Sequence, residues 1–369
     1  MNETIVGAFL VTYAVVQTIV FLFLIRFTDL YEREPISALA MMALWGAAGA
    51  TAISALGNAG LSGVLPPDIE FIFGQAIYAP IVEELAKGLA LVAFVILSVK
   101  ARGRFGIPHF EGPTDGIVYG AAVGLGFAFT EDVLYLLLGA SQKGAGEGIV
   151  TYLSRRDFFG LSMLHHAIYS AAFGVGLGVA TWSRRMLPRI AFPVLGLLVA
   201  VLLHAINNGL VRFVLYLKHG LQLTAAYLSG ILDSSDTATF AAEARDLVGV
   251  VRVIDYAVIA LFALLVLLWL RYQRRVISEE LAEEAETGLI SRTELDLLPR
   301  YWLRSRWYWQ LIRTGQWERW RLLKRMHNEL VDLALLKRRS SRGRVAKDEI
   351  ESSRRLIAKL KAQKAVFLG

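Results

Sequence analysis

The sequence predicts an all-α protein, a polytopic membrane bundle of about seven transmembrane helices followed by a basic helical C-terminal tail. Of its 369 residues, 55% are apolar, and the mean hydropathy is +0.49. Apolar runs of about 20 residues, long enough to cross a bilayer, recur along the first 270 positions. Residues 272–369 hold 22 Lys and Arg against 13 Asp and Glu, a net charge of +9. We therefore expect a transmembrane bundle over 1–271 and a separate cytoplasmic tail over 272–369.

Seven segments have the length and composition of transmembrane helices. They cover 4–26, 37–61, 70–99, 114–139, 158–182, 190–217 and 248–270. The third is too long for one straight crossing, and Pro80 is expected to kink or divide it. Gly120 with Gly124, and Gly174 with Gly178, form small-residue faces that predict close helix packing.

Lysine and arginine in the loops predict an N-terminus outside and a C-terminus inside. The predicted inner loops hold Arg26, Arg33, Lys100, Arg102, Arg104, Arg184, Arg185, Arg189, Arg271, Arg274 and Arg275. The start, MNETIVGAF, lacks a basic region and is expected to be the first span rather than a cleaved signal peptide. The chain has no cysteine, which excludes disulfides, thiolate catalysis and cysteine metal sites.

Several polar side chains interrupt the predicted spans. A charge at the bilayer centre costs at least about 2.5–3.5 kcal/mol, so such residues usually face the bundle interior and have a function. They are Glu83, Glu84 and Lys87 on the third span, Glu131 and Asp132 on the fourth, His165 and His166 on the fifth, and His204, Asn207 and Asn208 on the sixth.

Depth along the helices indicates one shared site. With inner ends at residues 99, 116, 182 and 190, four polar residues lie 14–16 residues from those ends. At about 1.5 Å per residue this places Glu83, Glu131, His166 and His204 at similar depth on four helices. Neighbouring helical residues point about 100° apart, so only one of His165 and His166 is expected to face the site.

The third span has the residue types of a general base. Lys87 is i,i+4 from Glu83 and i,i+3 from Glu84, so it can partner either carboxylate. Two carboxylates in low dielectric do not readily ionise together, and one is expected to hold a proton unless Lys87 compensates. Such a pair can activate water, and a histidine with Asn208 can stabilise an oxyanion. Structural roles remain open for the Glu84–Lys87 pair, for Asp132 and for Asn207.

Three motifs resemble the PrsW family of glutamic-type intramembrane proteases, which belongs with the CAAX-protease-like (CPBP) superfamily. They are EExxK at Glu83-Glu84-Leu85-Ala86-Lys87, FxxxE at Phe127-Ala128-Phe129-Thr130-Glu131, and HxxxN at His204-Ala205-Ile206-Asn207-Asn208. A second histidine stretch, HAIYSAAFG at His166, competes for the third motif, and Asp132 stands where asparagine is expected. The resemblance covers roughly residues 15–215 and leaves the tail out.

The resemblance implies hydrolysis of a peptide bond within or near a bacterial cell membrane. Glu83 or Glu84 would activate water with help from Glu131, and His204 or His166 with Asn208 would stabilise the oxyanion. The remaining residues Lys87, Phe127, Asp132 and His165 would support them. No cofactor is expected, and the substrate would be a membrane-anchored protein, for example an anti-sigma factor.

Three alternatives remain open. The first is a metal-dependent membrane hydrolase in which Glu131, His166 and His204 bind zinc and Glu84 is the base. The second is a transporter that uses the same buried carboxylates. The third is a scaffold or sensor whose tail carries the function.

The tail holds five tryptophans between residues 302 and 320, interleaved with basic residues. This pattern predicts contact of the 302–325 segment with anionic lipid. A helical hairpin that packs its own aromatic residues explains the composition equally well. Nucleic acid is not the expected partner.

Overall fold

The computed structural model describes residues 3–31, 34–101, 110, 112–154, 163–228, 234–340 and 347–366. These residues are almost entirely helical and include no β-strand. The chain forms two compact units, Met1–Thr28 with Glu34–Ala263, and Asp29–Arg33 with Leu264–Gly369. The all-α fold class is therefore confirmed.

The helices of the first unit pack around one long helix, Pro113–Lys143, in which residues 114–128 are buried. In chain order they are α1 Glu3–Arg26, α2 Ile36–Leu44, α3 Thr51–Leu61, α4 Pro67–Phe73, α5 Ala79–Ala101, α6 Pro113–Lys143, α7 Ala145–Ser154, α8 Leu164–Trp182, α9 Met186–Leu228 and α10 Ser234–Glu280. Helix α9 is broken at Gly220, which has φ 77°. Helix α10 crosses the boundary between the units, so its residues are divided between them.

Five helical segments are long and apolar enough to cross a membrane: Ile5–Arg26, Ile36–Leu61, Pro113–Ser141, Met186–Thr224 and Thr237–Glu286. Large apolar side chains such as Phe9, Leu187 and Val253 are exposed on them, which suits a lipid environment. Two other predicted spans, 70–99 and 158–182, are not among these five. They correspond to α5, which carries the charged residues, and to α8, which carries the two histidines. The number of spans and their orientation stay predictions. Of the basic loop residues, Arg33, Arg102 and Arg104 lie outside the described residues.

The predicted third span is divided, as expected. A π-helical turn, Gly74–Tyr78, separates α4 from α5, and Pro80 follows it at the start of α5. Proline has no N–H to donate to the carbonyl of Ala76 four residues earlier, so regular α-helical bonding cannot continue through this point. A second π-helical segment, Trp45–Ala50, joins α2 to α3.

Helices α6 and α8 pack with their backbones in contact, which confirms the prediction from the glycine spacing. A Cβ on Gly174 would lie 2.0 Å from the carbonyl oxygen of Gly116. A Cβ on Gly120 would lie 2.5 Å from the carbonyl oxygen of Ser170, and one on Gly124 would lie 2.1 Å from that of His166. The approach is close along about two helical turns, from Gly116 to Gly124. Side chains at the end of this contact on α6 and α8 can therefore hydrogen-bond directly.

The second unit is a small helical domain with its own core. It includes α11 Ala282–Glu286, α12 Arg292–Leu297, α13 Tyr301–Arg313, α14 Trp317–Ser340 and α15 Lys347–Val366. Helices α13 and α14 form a hairpin in which the Tyr308 hydroxyl bonds His327 Nδ1 at 2.6 Å. Trp307 and Trp320 pack against the apolar core of this unit.

A buried carboxylate also ties the second unit together. Glu284 accepts hydrogen bonds from Lys337 at 2.8 Å and from Arg354 at 2.7 Å. The hydrogen bond that Arg354 donates to Glu284 raises the pKa of Arg354.

We predict that Gly174→Ala destabilises the first unit, because the added methyl group meets the backbone of Gly116 and forces α6 and α8 apart. An overpacked core typically loses about 1–3 kcal/mol. The measurement is the thermal unfolding midpoint in detergent. Gly249→Ala is the matched control, since no neighbouring atom in the part of the chain that the structure describes lies within 4 Å of a Cβ at that helical glycine. Equal midpoints for the two variants would contradict the close packing.

Candidate active site

Lys87 and Glu84 lie at the centre of the candidate site, both buried on α5. The Lys87 ammonium donates to Glu84 Oε1 at 2.7 Å, the i,i+3 pairing that the sequence predicts. The Oε2 atom of Glu83 lies 3.8 Å from the same ammonium. The ring of Phe127 on α6 faces Lys87, with 3.9 Å from Nζ to the ring centroid. The buried cation is thus compensated by a carboxylate and by an aromatic face.

His166 connects Lys87 to Glu131. Its Nδ1 atom lies 2.9 Å from Lys87 Nζ, and its Nε2 atom lies 2.8 Å from Glu131 Oε2. An ammonium can only donate, so Nδ1 accepts, and the ring proton is on Nε2 and is donated to Glu131. Glu131 therefore holds the His166 ring in one tautomer and one orientation.

His204 on α9 approaches Glu84 from another direction. Its Nδ1 atom lies 2.9 Å from Glu84 Oε1, and the side-chain amide nitrogen of Asn208 lies 3.1 Å from its Nε2 atom. The amide donates, so Nε2 accepts and Nδ1 donates to Glu84. Glu83 Oε2 lies 3.7 Å from Nε2, beyond hydrogen-bond distance. Ser170 on α8 donates to the second oxygen of Glu84 at 3.4 Å.

These contacts form one continuous hydrogen-bonded network across α5, α6, α8 and α9. It runs through Asn208, His204, Glu84, Lys87, His166 and Glu131. The His166 and His204 rings meet edge to face, with centroids 4.9 Å apart. The four residues that the sequence places at similar depth do converge, and both histidine stretches take part. Glu83 and Phe127 border the network, so most of the sequence-predicted site residues lie together.

Other predicted residues occupy different positions. His165 points away from its neighbour and contacts Asn207 and Asp255, in a second polar cluster described below. Asn207 therefore bridges helices, the structural role left open from the sequence. Asp132 is buried on α6, and its neighbour Glu131 makes the contact with His166.

Three residues near the site were not anticipated from the sequence. Asp255 is a buried carboxylate in the predicted span 248–270, and its isolation in an apolar run was the signal that could have found it. Ser170 contacts Glu84, and the Tyr169 ring stacks on His204 with a centroid distance of 5.1 Å. The Tyr169 hydroxyl is buried and has no hydrogen-bond partner among the described residues. Nothing in the spacing of Ser170 or Tyr169 distinguishes them from packing residues.

A metal-binding arrangement is also present among the described residues. One donor atom each from Glu83, His166 and His204 lies within 4.8 Å of the others. This set contains Glu83 rather than the Glu131 that the sequence suggested. Two imidazoles with one carboxylate match the ligands of catalytic zinc sites in type and number.

Comparison with known proteins identifies bacterial relatives, each called Protease PrsW. The relative from Geobacillus kaustophilus is 31% identical over 159 residues, which cover 42% of this chain and 59% of that protein. The relative from Clostridioides difficile is 25% identical over 207 residues, 56% of this chain and 79% of that protein. The one from Bacillus subtilis is 38% identical over 96 residues, 26% of this chain and 38% of that protein. The chain thus spans less than two thirds of the Geobacillus and Bacillus proteins.

No solved structure matches this chain. A family model described as "PrsW family intramembrane metalloprotease" matches residues 34–231, which include every residue of the hydrogen-bonded network. The match covers more than half of the chain, and the chain therefore belongs to the PrsW family.

Proposed function

We propose that the chain is an intramembrane endopeptidase that hydrolyses a peptide bond of a membrane-anchored protein with water activated by glutamate. The hydrogen-bonded network from Asn208 to Glu131, buried between helices α5, α6, α8 and α9, is the observation that carries the proposal. The activity named in its relatives supports it. The chain is a multi-pass integral membrane protein of a bacterial family.

The two adjacent glutamates have different surroundings in the structure. Glu84 is held by Lys87, His204 and Ser170, so its carboxylate is oriented and its charge is compensated. Glu83 lies beside it, 3.7 Å from His204 and 3.8 Å from Lys87. A water molecule next to this pair loses a proton to Glu83 or Glu84 as the water oxygen attacks the scissile carbonyl carbon. The same glutamate then returns the proton to the leaving amine, so the proton balance is closed.

Asn208 stabilises the charge that develops on the carbonyl oxygen, because a side-chain amide has two N–H groups and can donate both to His204 and to the substrate. His204 accepts from the Asn208 amide and so holds it on one face of α9, next to Glu83 and Glu84. Donors of this kind, fixed before the reaction, stabilise an oxyanion more effectively than mobile water does. Glu131 orients His166, and Lys87 keeps the excess of buried carboxylates from repelling one another. The substrate class that we propose is a membrane-anchored regulator, such as an anti-sigma factor.

We predict that Glu84→Gln lowers the rate of substrate cleavage by at least about 10²-fold, because removal of a general base or of its charge partner typically costs 10²–10⁴. Glu83→Gln is expected to have an effect of the same order. The measurement is cleavage of a co-expressed panel of single-span membrane proteins at matched enzyme levels. Glu286→Gln, at an exposed position of the second unit, is the matched control. Cleavage by Glu84→Gln and Glu83→Gln at the wild-type rate would refute the assignment of this pair.

A metal-dependent reaction is the second candidate, because Glu83, His166 and His204 fit a divalent cation in donor type. The description of the matching family model also names a metalloprotease. These three residues would hold the ion, and a bound metal would supply Lewis-acid polarisation of water or of the substrate carbonyl. Against this, the Lys87 ammonium contacts His166 and Glu84 at 2.9 and 2.7 Å, and its positive charge disfavours a second cation at the same place.

We predict that a chelator leaves cleavage unchanged and that the purified protein holds less than one equivalent of zinc, because Lys87 already supplies the positive charge of the site. The measurements are cleavage with and without chelator and the metal content of the detergent-purified chain. Zinc at one equivalent, lost in His204→Ala, together with cleavage that chelation removes and zinc restores, would replace the glutamate mechanism by the metal mechanism.

The second unit provides a surface for the proposed lipid contact. Trp302, Arg306, Trp309 and Arg313 are exposed and follow one another at spacings of four, three and four residues, so they share one face of α13. Exposed tryptophans beside arginines are typical of helices that lie on anionic membrane surfaces. Trp307 and Trp320 pack internally, as the hairpin interpretation expects, and the exposure of Trp302 and Trp309 supports the proposed lipid contact.

We predict that replacing Trp302 and Trp309 by leucine reduces the quenching of tryptophan fluorescence by brominated phosphatidylglycerol in nanodiscs. Loss of two interfacial indoles removes the fluorophores closest to the lipid. Nanodiscs of brominated phosphatidylcholine serve as the control for the tryptophans of the first unit. Equal fractional quenching of variant and wild type by the anionic lipid would contradict the proposed contact.

A further inference from the structure

A second polar cluster, in which Asp255 is buried and His165 and Asn207 are half-buried, lies beside the candidate active site. His165 Nε2 lies 3.2 Å from Asp255 Oδ2, and the side-chain amide of Asn207 donates to the same oxygen at 3.2 Å. The amide nitrogen of Asn207 also lies 3.3 Å from His165 Nδ1. One carboxylate oxygen thus connects α8, α9 and α10.

Asp255 is an unusual residue for its helix. Its carboxylate is buried, whereas Val253 and Tyr256 beside it are exposed apolar or aromatic side chains on an otherwise hydrophobic segment. Carboxylates within apolar spans are costly and are retained mainly where they serve a function. Helix α10 also lies outside residues 34–231 that the family model matches.

The second cluster is linked to the hydrogen-bonded network in two ways. His165 and Asn207 directly precede His166 and Asn208 in the sequence, so each pair shares a helical turn. The Tyr169 ring also lies between the two groups. Its plane is tilted by 24° from that of His165, with 6.4 Å between the ring centroids. It is tilted by 20° from that of His204, with 5.1 Å between the centroids. A row of ring contacts thus runs from His165 through Tyr169 to His204.

We propose that Asp255 is a positioning residue for the active site, which acts through His165, Asn207 and Tyr169 to hold His204 and Asn208 in place. This inference rests on the proposed protease function. Asp255 fixes α8 and α9, the helices that carry His166 and His204, through its contacts with His165 and Asn207. The last helix of the first unit thereby becomes part of the catalytic framework.

The test is a kinetic comparison of the full-length protein with Asp255→Ala and Asp255→Asn on one cleavable substrate. For Asp255→Ala we expect kcat to fall by about 10- to 100-fold, as for a displacement of reacting groups by roughly 1 Å. KM should stay within about twofold, because substrate binding is not altered. Asp255→Asn keeps the size and one oxygen acceptor, so a partial recovery of kcat is expected. Asp246→Asn, at an exposed position on the same helix, is the matched control.

A double variant separates positioning from general stabilisation. If Asp255 acts through His165, the loss of kcat in Asp255→Ala/His165→Gln should be no greater than in the more affected single variant. A wild-type kcat for Asp255→Ala, or losses that multiply in the double variant, would overturn the inference. A changed thermal unfolding midpoint with unchanged kcat would assign Asp255 to stability alone.

The controls distinguish failure of this inference from failure of the proposed function. If the wild type cleaves, Glu84→Gln does not, and Asp255→Ala matches the wild type, only the positioning role is wrong. If the wild type cleaves none of the panel, the protease proposal and this role are both rejected.

Discussion

The buried ammonium of Lys87 is the constraint on which the rest of the site depends. It is fully buried, and an uncompensated charge in such a place would cost several kcal/mol. Its partners come from three helices: Glu84 on its own helix, His166 on α8 and the ring of Phe127 on α6. The charge is stable only when these helices are assembled, so folding of the bundle and formation of the site are one event.

The glycine contacts between α6 and α8 set the distances within that assembly. Gly116 meets Gly174, and two turns later Gly124 meets the backbone of His166 itself. Because these glycines have no side chains, the two helices approach closely, and Glu131 Oε2 lies 2.8 Å from His166 Nε2. The same packing that buries the core therefore also selects the tautomer of the histidine. His166 thus contributes its backbone to the helix contact and its side chain to the hydrogen-bonded network.

The glutamate mechanism and the metal mechanism use the same side chains in different roles. In the glutamate mechanism, Lys87 supplies the positive charge that offsets Glu83, Glu84 and Glu131. In the metal mechanism, an ion between Glu83, His166 and His204 would supply it. The position of Lys87, bonded to both Glu84 and His166, favours the first. Asp255 supports either arrangement, because it acts on the orientation of the helices and not on the charge at their centre.

The sequence by itself determined the helical class and the basic composition of the C-terminal segment, and it singled out polar residues that lie together in the structure. Local spacing decides these features, since apolar length, i,i+3 pairing and rise per residue are properties of a single helix. Only the tertiary structure decided that both His166 and His204 join the site, that His165 turns instead to Asp255, and that Ser170 and Tyr169 contribute. These outcomes depend on the rotation of each helix about its axis and on its distance from its neighbours. Interhelical packing sets both, and no pattern within one segment contains them.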